Sequence, residues 1–153
     1  MLPFYTFIMV SAGLEVLEVL MRWAHIASAV ALIGGFTFAR VVVAPSMAET
    51  PAEERAESWR TLISRFRPLI YAAIAGLIVS GVYQIMRRPG HTPLYHAVLG
   101  LKLLLAAHVF AAALLIARSA AGKIGAKLVS RMTGIVAFGF TILLIAAFLR
   151  RIF

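Results

Sequence analysis

The run LYHAVLGLKLLLAAHVFAAALLIA, residues 94–117, decides the fold. A helix needs roughly 20 mostly apolar residues to cross a hydrocarbon core of about 30 Å. This run exceeds that length with Lys102 as its one permanently charged side chain. Working outward, runs of the same character lie at 21–43, 68–86 and 132–149. Pro45, Pro68, Pro89 and Pro93 stand at or near span ends, where a missing amide costs least. The expectation is an all-α fold in a single membrane domain, 1–153: an integral membrane four-helix bundle. Residues 1–20 read as an outer-surface lead-in, with 14–20 as a candidate extension of the first span. Residues 46–67 form the one long connection and read as an exposed, amphipathic helical loop. Within it, Thr50 and Glu53 have the spacing of a capping box.

Composition agrees with lipid as a solvent. Hydrophobic residues make up 62% of the chain and mean hydropathy is +0.94, against about half apolar for a soluble domain. An ordinary soluble enzyme, a secreted disulfide scaffold and a disordered tail are thereby excluded. The absence of cysteine removes disulfides, thiolate metal sites and iron–sulfur clusters. Fifteen Lys and Arg stand against six acids. They cap the apolar runs instead of interleaving with exposed aromatic residues, so the expected partner is the lipid bilayer and not nucleic acid.

Charge also gives direction, because basic residues collect in cytoplasmic loops. The first and third connections carry Arg55, Arg60, Arg65, Arg67, Arg118, Lys123, Lys127 and Arg131, with Arg40 ending span one. The other side has Arg22, Arg87, Arg88, Arg150 and Arg151. The heavier side is expected to be cytoplasmic, which puts both termini on the outer, periplasmic side.

Ionisable groups inside spans are costly and are functional candidates. At about 1.5 Å per residue, His25 lies roughly 22–28 Å above the inner end of span one, and Lys102 roughly 24 Å above Arg118. The two are level, in the outer half of the membrane. His96 lies one to two turns further out, and His108 is deeper. Helical phase turns His96, Lys102 and His108 about 120° apart, so they cannot share one pocket. The Lys102 face continues through Ala106, Val109 and Ala113, whereas His108 shares its side with Leu101, Leu104, Leu105 and Leu115. That second side reads as facing lipid or a partner chain. Beside His25, the small residues Ala24, Ser28, Ala31 and Gly35 would admit either a close helix or the flat face of a macrocycle. His25 could equally hydrogen-bond a neighbouring carbonyl, and Lys102 could snorkel to the interface. His91 reads as solvated in a polar turn, and Trp23, Tyr83 and Tyr95 as interfacial anchors.

Three motif groups then stand in order along the chain. Span one has Arg22-Trp23-Ala24-His25, Gly34-Gly35-Phe36, Arg40 and Ala44-Pro45. Span two has Arg65-Phe66-Arg67, Gly76 and Ser80-Gly81-Val82-Tyr83. Span three has Thr92-Pro93-Leu94-Tyr95 and Gly100-Leu101-Lys102-Leu103. This order resembles the copper-resistance CopD domain and the related HemJ-type membrane proteins, over roughly residues 21–153. The resemblance implies a bacterial inner-membrane protein handling either haem b or copper. It also implies functional roles for the span-one His and span-three Lys, here His25 and Lys102.

Three functions follow as expectations. The first is a haem b redox protein passing electrons between a quinone or porphyrinogen and an acceptor. His25 would be a ligand, His96 a second ligand, Gly35 part of the slot, and Arg22 or Lys102 a propionate partner. In this reading His25 and Lys102 form the reactive pair. The second is copper(I) handling by His25 and His96 with outer-side methionines such as Met1, Met9, Met21 and Met86. The third is a cofactor-free subunit of a homodimer or larger membrane complex, joined through the His108 face. No phosphate loop, HExxH motif or nucleophile elbow is present.

Overall fold

The computed structural model describes the backbone of residues 2–87, 92–119 and 126–152, and the side chains of 13–87, 92–119 and 127–149. His91, Met1 and Met9 fall outside the described side chains. Among the described residues the structure is helical, without strands. Four stretches are long and apolar enough to cross a membrane: Gly13–Ser46, Ala52–Met86, Pro93–Arg118 and Lys127–Leu149.

The first rod is helix α1 (Leu2–Ala29), a π-helical turn (Val30–Gly34), α2 (Gly35–Phe38), a second π-helical turn (Ala39–Val43) and α3 (Ala44–Ser46). A π turn inserts an i→i+5 step and rotates the face that follows. Leu32, Ile33, Phe36 and Ala39 of this stretch turn inward, each less than one-tenth exposed. Helix α4 spans Ala52–Met86, α5 spans Pro93–Arg118 and α6 spans Ala126–Ile152.

Helix α4 corrects two expectations. Residues 52–67 are not a separate loop helix but the beginning of α4, which runs unbroken through Pro68. The reason is an apolar stripe: Trp59, Ile63, Ile70, Ala73 and Ile74 are all buried and lie on one face across the proline. Pro68 itself is on an exposed side, where its missing amide is tolerated. The expected Thr50 capping box does not form. Pro51 occupies the N-cap with an extended ψ of 146° and no side-chain hydrogen bond caps the helix. Helix α5, by contrast, is capped by Thr92, whose hydroxyl accepts from the Tyr95 amide at 3.4 Å.

Between apolar helices in lipid, association depends on close packing, not on the hydrophobic effect. Helix α1 packs on α4, α4 on α5 and α5 on α6, while the π-helical turns and α2 of the first rod close the ring against α6. Contact is closest at glycines. A Cβ at Gly76 would meet the Ser28 hydroxyl, one at Gly35 the Phe66 ring, and one at Gly139 the Ile33 side chain. Phe66 also meets Phe36 edge-on at 5.6 Å between centroids. Arg40 Nε donates to Thr133 Oγ1 at 2.8 Å, tying the first rod to α6.

The core is not evenly distributed. Leu32, Phe36, Ala39, Trp59, Ile63, Ile70, Val109, Ala113, Ile116, Leu128, Met132 and Ile135 form one cluster, all toward the Arg40 end. The His25 end is packed more loosely: among the described residues α1 rests on α4 and makes no comparable packing with α5 or α6. Large apolar side chains cover the outside, among them Val19, Trp23, Ile26, Phe38, Ile78, Leu104, Phe140 and Leu144. A surface of this kind matches contact with lipid acyl chains.

Candidate functional site

The site grows from one close helix pair. Small side chains bring α1 and α4 together, and one turn from the Ser28–Gly76 contact the His25 ring lies against Ser80 and Gly81. His25 Nδ1 is 2.8 Å from Ser80 Oγ. Ser80 is 1% exposed, the one buried polar residue among those described. Its hydroxyl lies 2.5 Å from the Gly76 carbonyl, which can only accept. The single hydroxyl proton therefore goes to Gly76, and Ser80 Oγ accepts from His25 Nδ1–H. In the neutral ring this leaves the lone pair on Nε2. An imidazole held by Nδ1–H with Nε2 presented is the arrangement in which histidine binds metals.

Lys102 is half-buried on α5, within electrostatic reach of His25. Val109 and Ala113 are buried on the same face of α5, and Leu101, Leu104 and Leu115 are exposed on the other, as helical phase requires. The structure pairs His25 with Ser80 across α1 and α4, and Lys102 stands half-buried on α5 at the same end.

The remaining candidates are placed elsewhere. His96 is exposed in the first turn of α5, its Nδ1 donating to the Thr92 carbonyl at 3.1 Å and its ring edge-on to Tyr95 at 5.8 Å. Six residues of helix separate it from Lys102 by about 9 Å and turn it about 120° away. Gly35 lies against the Phe66 ring, so a neighbouring helix takes the space beside it. Gly35 and Phe66 also border an apolar cavity of about 100 Å³ with Phe36, Ile63, Ile116 and Met132. Arg22 is exposed and lines a separate small cavity with Glu18, Tyr83, Gln84 and Arg87. His108 is exposed and meets Phe138 of α6 edge-on at 4.9 Å.

Ser80 was present in the sequence motif but carried no predicted role. Its signal is a serine one turn after Gly76 on a face that otherwise buries apolar residues. Among the described residues no group of three or more His, Cys, Asp or Glu could hold a metal ion.

Haem b, which the resemblance implies, needs a nitrogen ligand, an apolar slot and cations for its propionates. His25 meets the first need and Lys102 the third. The cavity beside Gly35 does not meet the second, since ligand pockets run to about 300–1,000 Å³. At the His25 end α1 exposes Val19, Leu20, Trp23 and Ile26, an apolar side open to a flat group. The chain is therefore a four-helix, multi-pass membrane protein with an oriented imidazole and a lysine in its less packed half. Comparisons with protein-family models, with curated proteins and with solved structures gave no match to the chain.

Proposed function

We propose that this chain is an inner-membrane haem b protein of the CopD/HemJ kind, passing electrons between a quinone or porphyrinogen and an acceptor. The observation that carries the reading is the Gly76–Ser80–His25 relay, which fixes the ring and leaves Nε2 for an iron ligand. Bound haem would supply one-electron exchange. The protein holds the ring through Ser80, excludes water with apolar side chains, and sets Lys102 as the cation for a propionate. His96, exposed and turned about 120° from Lys102, lies apart from this site, so the reading carries His25 as its one protein ligand.

In this reading the Arg40 end is cytoplasmic and both termini are periplasmic, following the excess of Arg and Lys on the first and third connections. A second copy, or a larger complex, docks on the exposed side of α5 that carries His108, Leu101, Leu104 and Leu115. The test is haem and metal content of wild type, His25→Ala and His108→Leu purified in parallel. The proposal expects haem in wild type and His108→Leu and none in His25→Ala. Copper without haem in wild type would replace it with the copper reading. Neither group in any of them, after mild solubilisation, would favour the cofactor-free subunit.

A further inference from the structure

A second polar site lies at the same end of the bundle, between α1 and the last turn of α4. It is a cavity of about 30 Å³ lined by Glu18, Arg22, Tyr83, Gln84 and Arg87. That is about the room of one water, or of one oxygen atom from a larger group. The Tyr83 hydroxyl and the Gln84 Nε2 are buried with no hydrogen-bond partner. Buried donors without an acceptor are costly, so a group that supplies one is favoured here. Arg87 lies over the Tyr83 ring, 5.8 Å from its centroid, and adds positive charge at the rim. Glu18 is exposed beside Arg22. Among the described residues the one ion pair within 4.0 Å is Arg60–Glu57, so Glu18 is not tied to either arginine by such a pair.

The level of this cavity in the membrane follows from charge spacing. Arg22 to Arg40 is about 27 Å along the first rod, and Arg67 to Arg87 about 30 Å along α4. Both match the hydrocarbon core of about 30 Å. Arg22 and Arg87 therefore sit at one headgroup layer, and Arg40 and Arg67 at the other. Exposed apolar residues of the same two helices, Val19 and Ile26 on α1 and Met86 on α4, offer acyl chains a surface at this level.

We infer that this cavity is a headgroup site for an aminophospholipid. A phosphate oxygen fills it and accepts from Tyr83 Oη and Gln84 Nε2, Arg22 and Arg87 flank the phosphate, and Glu18 accepts from the primary ammonium. The presence of both signs of charge selects this class. A phosphate alone would leave Glu18 facing an anion, and a quaternary ammonium has no N–H to donate. The inference stands independently of haem.

The test is native mass spectrometry of the full chain in detergent, delipidated and then offered equal phosphatidylethanolamine, phosphatidylglycerol and phosphatidylcholine. A parallel arm offers inorganic phosphate alone. The expected result is retention of phosphatidylethanolamine over both phosphatidylcholine and phosphatidylglycerol by about tenfold, the worth of one charge-assisted hydrogen bond. Glu18→Gln is expected to erase the preference over phosphatidylglycerol, and Tyr83→Phe and Arg22→Gln to lower retention of every phospholipid. Circular dichroism and monodispersity establish that each variant is folded. Equal retention of the three lipids, unchanged in folded variants, overturns the inference and leaves a water site. Inorganic phosphate binding as well as lipid overturns the assignment to a lipid headgroup.

Discussion

His25 Nδ1 and Ser80 Oγ lie 2.8 Å apart across the α1–α4 interface, and the serine proton is already committed to the Gly76 carbonyl. A hydroxyl placed in this way defines one tautomer of the ring. It also explains why a serine is buried in a face that is otherwise apolar.

Removing that hydroxyl tests whether orientation matters. Ser80→Ala deletes the acceptor but keeps the small side chain that lets the helices approach. Cofactor affinity is expected to fall by about 10- to 100-fold, the usual effect of losing the group that orients a ligand histidine. Ser80→Thr retains a hydroxyl and is expected to recover part of the loss. Titration of the apo variants with haem, followed at the Soret band, provides the measurement; wild-type affinity in Ser80→Ala would mean that the relay is only structural.

Lys102 separates a site role from interfacial snorkelling. Lys102→Met keeps most of the side-chain volume and removes the charge. Loss of a cation near a redox centre disfavours the reduced form, so the midpoint potential is expected to move lower, with Lys102→Arg close to wild type. Redox titration of the three proteins reads this. Identical potentials would place the ammonium away from the cofactor.

The α1–α4 contact rests on Gly76, where an added Cβ would meet Ser28. Gly76→Leu is expected to destabilise the bundle by about 1–3 kcal/mol through overpacking. Ser28→Gly on that background is expected to restore part of the loss, because it removes the atom that collides. Thermal unfolding in detergent decides it, and additive effects in the double variant would show that the two positions do not share one contact.

His108 has a different expected phenotype. His108→Leu removes a polar ring from an exposed, Leu-rich side of α5 but leaves His25 untouched. Self-association, read by light scattering of the detergent complex, is expected to change while haem content stays at the wild-type level. The reverse pattern would bring His108 into the cofactor site and remove His25 from sole responsibility.

The four membrane helices were legible in the sequence because apolar runs of the required length have few alternative explanations. The faces of α5 were legible too: Val109 and Ala113 are buried and Leu101, Leu104 and Leu115 exposed, as 100° per residue demands. The unity of α4 was less so. The charges at 53–57 and Pro68 read as a break, whereas Trp59, Ile63 and Ile70 continue one buried stripe across it. The π-helical turns in the first rod were not read from the sequence, whose apolar run 30–43 is equally compatible with a plain α-helix. At the site, depth counting gives His25 level with Lys102. It did not reveal Ser80, because a register along single helices says nothing about which small polar residue a neighbouring helix presents. Nor did it reveal that Phe66 takes the space beside Gly35, since a small residue admits a helix as readily as a ligand.

The central claim is that His25 holds haem b, and the most direct measurement is the absorption spectrum of the wild-type protein, purified in mild detergent, before and after dithionite reduction. The account expects a Soret band that shifts and sharpens on reduction with new α and β bands, all lost in His25→Ala. A Soret band of full amplitude in folded His25→Ala, or no haem spectrum in wild type that retains its lipids, would contradict it.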